Sequence, residues 1–563
     1  MSLTALAVGF LLLLFVGYHF YARRIARELA VDDTRTTPAH AVNDGVDFVP
    51  TRPFYLFAQH FSAIAAAGPI AGPIMACRAF GWLPCLVWIA LGVVLIGAVH
   101  DFATLTASVR HGARSLVEIA REQLGSKAGR AMLAFIWLAL VYVIVAFADI
   151  TAGTFVAGSE ELERVGAQFH AGGAVAAASV MYLVLAVVMG IVTKVFKPRL
   201  WLLTAVFVPA TFALSYFGTK ISHWLVFDTK TWGLIILGYC ALASVCPVWA
   251  LLQPRGYLGG FVLYSALLVG MIGVLFGGYE IKQPMFNRWD VGGVDGQLFP
   301  FLFVTIACGA CSGFHGLVCS GTTSKQIDRE SHLRPVGYGA MLGEGFVALI
   351  ALVTVMIVAP GELEGLKPGT IYGNGIGRFL TLLIGADNLP FAITFGAMAF
   401  STFVFDTLDV CTRLGRYIIQ ELFQWRGAAG SILATLVTMA PPAYFLIVAK
   451  EGSYLQFWKL FGASNQLLAA LSLLIISVWL ARSGRRIRFT LLPMLFVLVV
   501  TLYALSMLVV KNWQAAHGWG TERVNAICAL ALVVLALFLV ARALIELRRV
   551  VPVAGAPSPR SGM

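Results

Sequence analysis

Charge is scarce in this sequence. Asp, Glu, Lys and Arg make up 12% of its 563 residues, about half of the roughly 25% found in a soluble domain. Hydrophobic residues reach 59% and mean hydropathy is +0.84, which excludes an ordinary water-soluble chain. The motifs of enzyme chemistry are missing too: there is no H-E-x-x-H, no G-x-S-x-G and no nucleotide loop. A channel would need a repeated pore motif or a charged ring, and neither is present. The loops run to about 20–35 residues, too short for an independent core, so no soluble catalytic or signal-output domain is expected. The nine cysteines lie mostly in apolar runs without metal-ligand spacing, and Cys308 and Cys311 form a C-x-x-C that lacks a second pair. No metal, cofactor or disulfide framework is expected.

Long apolar runs are abundant. Hydropathy gives about fifteen transmembrane spans, near 3–21, 57–76, 82–109, 131–153, 174–193, 199–217, 231–249, 258–278, 299–323, 336–359, 388–412, 428–449, 455–480, 488–510 and 524–547. The chain therefore reads as an all-α polytopic membrane protein. The first run is too long for a cleavable signal peptide, lacks a basic leader and is followed by Arg23 and Arg24, so it is expected to remain as a span. The net charge of +12 is carried by Lys and Arg in short loops. Positive-inside topology accounts for it, and no nucleic-acid partner is implied. The same rule puts the N-terminus on the periplasmic side and the C-terminus in the cytoplasm. The acidic loop with Glu160, Glu161 and Glu163 falls outside. The stretch 371–385 is short, and counting it as a crossing would put Arg413 and Arg416 outside, so it reads as an outer re-entrant or surface helix. Residues 1–53 hold the first helix and a cytoplasmic loop, 54–412 the ten-helix core and 413–551 the C-terminal helices. The Pro- and Ser-containing end, 552–563, reads as disordered.

The core is organised around 57–76, an apolar span carrying Gly68-Pro69 and Gly72-Pro73. Each proline removes an N–H and each glycine weakens a helix. The helix is therefore expected to be cut twice at mid-membrane, and because lipid cannot satisfy the freed backbone groups, such breaks are expected only inside protein or beside a wet cavity. Transporters build midplane sites this way; the structural alternative is a packing kink. A second break is expected in 231–249, at Pro247 beside Ser244, Cys246 and Trp249. The stretch 307–326 is rich in small residues, with Ser312, Ser320, Thr322 and Thr323 offering oxygens to a cation or carboxylate, or simply bonding back to their helix. Ionisable groups at membrane depth are costly and usually functional. Here they are His60, His100, Asp101, Asp149, His315, Glu344, Asp406 and Asp409. His60, Asp101 and Glu344 are candidates for coupling transport to an ion. A static pair such as His60 with Asp101 is the structural alternative.

The chain resembles the carbon starvation protein A family. The resemblance rests on Gln59-His60-Phe61 leading into Gly68-Pro69-Ile70-Ala71-Gly72-Pro73, on Gly97 to Phe102, and on Pro247 to Leu252. It extends to Ser312-Gly313-Phe314-His315, Ser320 to Gln326, Asp409 with Thr412-Arg413, Gly415-Arg416-Tyr417, and Phe461 to Gln466. It implies a bacterial inner-membrane importer of peptides or of pyruvate, driven by a proton or sodium gradient and serving carbon starvation. It also implies a LeuT-like five-plus-five inverted repeat in which the first, sixth and eighth core helices carry the site; these would be 57–76, 231–249 and 299–323. Two departures stand out: the chain is shorter than many members, and Gln59 replaces a second histidine before His60.

The expected function is thus secondary active transport, with a membrane-integral starvation sensor as the alternative. Substrate would contact Gly68, Pro69, Gly72, Pro73, Ser244, Trp249, Ser312 and His315. The coupling ion would use His60, Asp101, Ser320, Thr322, Thr323 and Glu344. The partners are then a peptide or pyruvate, a proton or sodium ion, and membrane lipid.

Overall fold

A helix satisfies its own N–H and C=O groups, which makes it the natural form for apolar stretches of this length in a bilayer. The computed structural model follows that rule. It describes residues 2–550 except 46, 66, 159–161, 163–167, 291, 293–295, 450–453 and 517; the 552–563 tail and Glu160, Glu161 and Glu163 lie outside the described residues. Among the described residues there is no strand, only two isolated bridges, and 12 helices are long and apolar enough to cross a membrane. The three other expected spans take different forms. The first is the pair Pro53–Ile64 and Gly68–Phe80, bent by 48°. The second is Thr229–Val245, of 17 residues. The third, near 299–323, is split into Leu298–Thr305 and Phe314–Gly321. The architecture is all-α and multi-pass.

Burial shows where the centre lies. Leu455–Arg482, Ala386–Phe423 and Glu330–Met356 are almost wholly enclosed, whereas Leu3–Glu28 and Leu200–Lys220 are mostly exposed. Leu455–Arg482 is central although the sequence groups it with the C-terminal helices. It packs on Ser126–Val156, Trp82–Arg110 and both halves of the second broken span.

The first span breaks once, not twice. The break lies between Ile64 and Gly68, and Gly68-Pro69 opens the next helix. A proline is tolerated in a first helical turn because its missing N–H would have been unpaired there anyway. Pro73 sits inside the same helix. The 231–249 stretch is not a broken span: Thr229–Val245 ends before Cys246, and Pro247 falls in the turn that leads to Leu252–Phe276. The partner of the first break is the second broken span. A Cβ at Gly72 would lie 2.5 Å from the Thr305 carbonyl oxygen, and one at Gly68 would lie 2.5 Å from Cys308 Sγ. Gly72 is needed for this backbone-to-backbone crossing, and Gly68 makes room for the Cys308 side chain.

The helix covering 371–385, Pro368–Ile384, is not a simple surface helix, because its residues from Pro368 to Gly377 are buried. It folds back on Leu389–Phe423 through Gly373, which faces Ala397, and Gly377, which faces Ile393. Its other neighbours include Thr154, Thr354 and Gly273. Each of these lies within three residues of the end of its helix, so the segment caps one end of the bundle.

Candidate functional site

The unwound segment Ile306–Gly313 leaves backbone groups to satisfy, and side chains from two helices, Trp82–Arg110 and Leu455–Arg482, do so. Trp458 Nε1 donates to the Thr305 carbonyl (3.0 Å), Trp88 Nε1 to Ile306 (3.1 Å) and Gln466 Nε2 to Phe303 (3.0 Å). At the start of the next half-helix, Phe314 N–H donates to Asn465 Oδ1 (2.9 Å) and Gly313 N–H to the Asn465 carbonyl (3.1 Å). Asn465 Nδ2 donates to Ser312 Oγ (3.1 Å). The break is therefore held open by built partners, as helix ends in a membrane require.

That bracing presents His315, in the first turn of Phe314–Gly321, to a chain of buried ionisable groups. His315 Nδ1 lies 2.9 Å from Asp101 Oδ2, and His100 Nδ1 lies 2.7 Å from Asp101 Oδ1. On the other side, His315 Nε2 is 2.9 Å from Glu344 Oε2. That last contact has ion-pair distance but not hydrogen-bond alignment, and among the described residues neither Glu344 oxygen has a hydrogen-bond donor. All four side chains are buried. Two carboxylates from two other helices thus flank one imidazole, which can donate to both only when it carries two protons. Losing one proton obliges it to give up one partner. A group of this kind can carry a proton and register its presence as a change of contact.

His60 belongs to the same cluster by a different route. Its Nδ1 bonds Thr323 Oγ1 (2.8 Å), not Asp101 as a static pair would require. Cys319 lies between them, with Sγ 3.8 Å from His60 Nε2 and 3.6 Å from the Asp101 carbonyl. The two half-helices are also joined at their base, where Thr51 N–H donates to the Gln326 carbonyl (3.1 Å). Glu330 sits just beyond, gripped by Arg110 through two bonds of 2.9 Å and by Arg35 at 3.1 Å.

The structure thus brings His60, Asp101, His315, Thr323 and Glu344 together, with Ser312 one bond away through Asn465. Gly68, Pro69, Gly72 and Pro73 are all buried, and Gly68, Pro69 and Gly72 come close to the second broken span. Ser320 bonds the Gly316 carbonyl and accepts from Leu116 N–H, a packing role. Thr322 points away and is exposed. Ser244 and Trp249 are elsewhere: Ser244 faces Thr435, and Trp249 lies under Lys194. Ser244 stands near the end of Thr229–Val245 and Trp249 in the turn after it, and that helix packs on Ser126–Val156 and Leu389–Phe423. The expected substrate and coupling residues did not include His100, Cys319 or Asn465. His100 was visible as an ionisable group at depth, and Asn465 as part of the Phe461–Gln466 motif.

A second charged cluster lies across the bundle. Arg255 pairs with Asp406 (2.7 Å) and Asp409, Tyr239 donates to Asp409 (2.6 Å), and Tyr182 donates to the Arg255 carbonyl (2.7 Å). Arg413 caps the end of Thr229–Val245 through the carbonyls of Ala243 and Cys246, both at 2.7 Å. This cluster ties four helices together.

The family model for the carbon starvation protein CstA matches residues 1–374 and 366–504. The chain belongs to that family. Among CstA relatives, the peptide transporter CstA of Campylobacter jejuni is 31% identical over 88% of this chain and 79% of its own length. The pyruvate/proton symporter BtsT of Escherichia coli is 31% identical over 87% of this chain and 80% of its own. A solved manganese transporter of Eremococcus coleocola aligns over 89% of this chain and 98% of its own at 14% identity, with a TM-score of 0.44, a distant likeness. Membership places this chain among membrane transporters of the CstA type.

Proposed function

We propose that this chain is a proton-coupled secondary transporter of the bacterial inner membrane that imports a small substrate bearing a carboxylate, either pyruvate or a short peptide, when other carbon is scarce. The observation that carries the reading is His315 set between Asp101 and Glu344 at the mouth of a helix break. A proton arriving on His315 lets it hold both carboxylates, and losing that proton releases one of them. His315 stands on a half-helix, so the change acts on the second broken span directly. It reaches Pro53–Ile64 through the His60–Thr323 bond and the Thr51–Gln326 bond. Substrate binds where the two breaks face each other, between Ile64 and Gly68 and along Ile306 to Gly313. There, the half-helix N-terminus at Gly68 favours a carboxylate, as does the dipole of the half-helix that starts at Phe314, whose own N–H is held by Asn465. Opening the Gly72–Thr305 crossing is part of admitting it. The relatives support both the carboxylate and the proton, since one is named a pyruvate/proton symporter.

The test is uptake of labelled pyruvate into proteoliposomes under an inward proton gradient, with unlabelled di- and tripeptides as competitors. Gradient-dependent accumulation of pyruvate without competition identifies a small-carboxylate symporter. Accumulation of labelled peptide instead identifies a peptide symporter. Uptake of either that ignores the proton gradient would overturn the coupling.

A further inference from the structure

An apolar groove of about 470 Å³ opens on the membrane face, away from both broken spans. Val180, Val184, Val187 and Val188 of Ala171–Phe196 form one wall, and Tyr239 and Leu242 of Thr229–Val245 the other. Val184, Val187, Val188 and Leu242 are exposed, so the groove is open to lipid along its length. It closes at one end, where the turn after Thr229–Val245 meets Gly190. A Cβ at Gly190 would lie 2.6 Å from the Ala250 carbonyl oxygen and 2.8 Å from that of Trp249.

Beyond that closure the chemistry changes sign. Lys194 Nζ sits 3.7 Å over the Trp249 ring, a cation–π contact that fixes the ammonium in place. Lys194 is seven residues past Val187, so it shares the grooved face and lies about 10 Å further along the helix. Lys197 and Arg199 follow, both exposed. Among the described residues, no ion pair holds any of the three. The groove thus has an apolar body with cationic side chains just beyond its closed end.

We propose that this groove binds an anionic phospholipid, with an acyl chain along Val180 to Val188 and its phosphate at Lys194, flanked by Lys197 and Arg199. Basic side chains at the end of a groove between membrane helices select anionic head groups, and an aromatic ring at the same level suits the interface. The lipid lies against the second charged cluster: Tyr239 lines the groove and bonds Asp409 at 2.6 Å. The proposal does not depend on the transport reading and is measured without substrate.

The experiment is native mass spectrometry of the full chain titrated with dioleoyl phosphatidylglycerol and, in parallel, dioleoyl phosphatidylcholine. The expected result is a clear preference for phosphatidylglycerol. Lys194→Gln should weaken its binding about fivefold, and Lys194→Gln with Lys197→Gln about thirtyfold, with phosphatidylcholine little changed. Val187→Trp, which fills the groove, should weaken both lipids. Equal retention of the two lipids by the unaltered chain would overturn the proposal, as would an unchanged preference in the glutamine variants. A dimer lost on Val187→Trp, with lipid binding untouched, would assign the groove to a second copy of the chain and overturn it too. The lysine variants are surface changes, and equal thermal unfolding verifies their folding.

Discussion

Adding a single methyl group at Gly72 tests the crossing of the two broken spans. The Cβ of Gly72→Ala would sit 2.5 Å from the Thr305 carbonyl oxygen and 3.3 Å from Ile306 Cα. Carbon–oxygen contacts settle at about 3.3–3.6 Å, so the spans must part by about 1 Å. Both sides are backbone, and Thr305 is further anchored by Trp458, so no flexible side chain can yield. Overpacking of this kind costs about 1–3 kcal/mol. The penalty falls on the state in which the spans touch and is relieved where they separate. A bias of about 2 kcal/mol shifts a two-state equilibrium by about thirtyfold, enough to stall a cycle that must visit both states. Gly72→Ala is therefore expected to lower uptake at least tenfold and to lower the apparent unfolding temperature. The control is Gly260→Ala, whose Cβ would meet only Ser62 Oγ at 3.7 Å, an ordinary contact; it should transport normally. Wild-type uptake and unfolding by Gly72→Ala would refute the close crossing.

Three further substitutions probe the framework. Arg255→Met leaves Asp406 and Asp409 facing each other without their shared cation and should destabilise the fold by about 3–5 kcal/mol, while Arg255→Met with Asp409→Leu should recover part of that loss; thermal unfolding in detergent decides. Asn465→Leu removes the acceptor for Phe314 N–H and should cost about 1–3 kcal/mol and reduce uptake, whereas full uptake would remove Asn465 from the bracing of the break. Glu330→Ala frees Arg110 and the partly exposed Arg35 and should speed limited proteolysis within residues 29–51; unchanged cleavage would show that this segment is held by other contacts.

Much of the architecture was legible in the sequence because a bilayer penalises the same features that hydropathy counts. Every expected span corresponds to a helix or a broken pair. Ionisable groups at depth named His60, Asp101, His315 and Glu344, which fall on four separate segments yet converge, because a buried charge must find a partner. What hydropathy does not carry is which break faces which. Pro247 carries the stronger breaking signal and marks only a turn. The break at Ile306–Gly313 contains no proline, and its signal is a run of small residues. Hydropathy is equally silent on Arg255, whose long guanidinium turns inward to two aspartates some 150 residues away. The tandem Gly-Pro pairs read as two breaks, yet a proline in a first turn starts a helix as readily as it ends one.

The most direct test of proton coupling is to follow lumenal pH in proteoliposomes while substrate is added outside with no imposed proton gradient. Substrate-dependent acidification is expected from the unaltered chain. None is expected from Asp101→Asn, which should still exchange labelled for unlabelled substrate. Substrate entry without acidification in the unaltered chain, or acidification that survives Asp101→Asn, would contradict the role given to His315 and its two carboxylates.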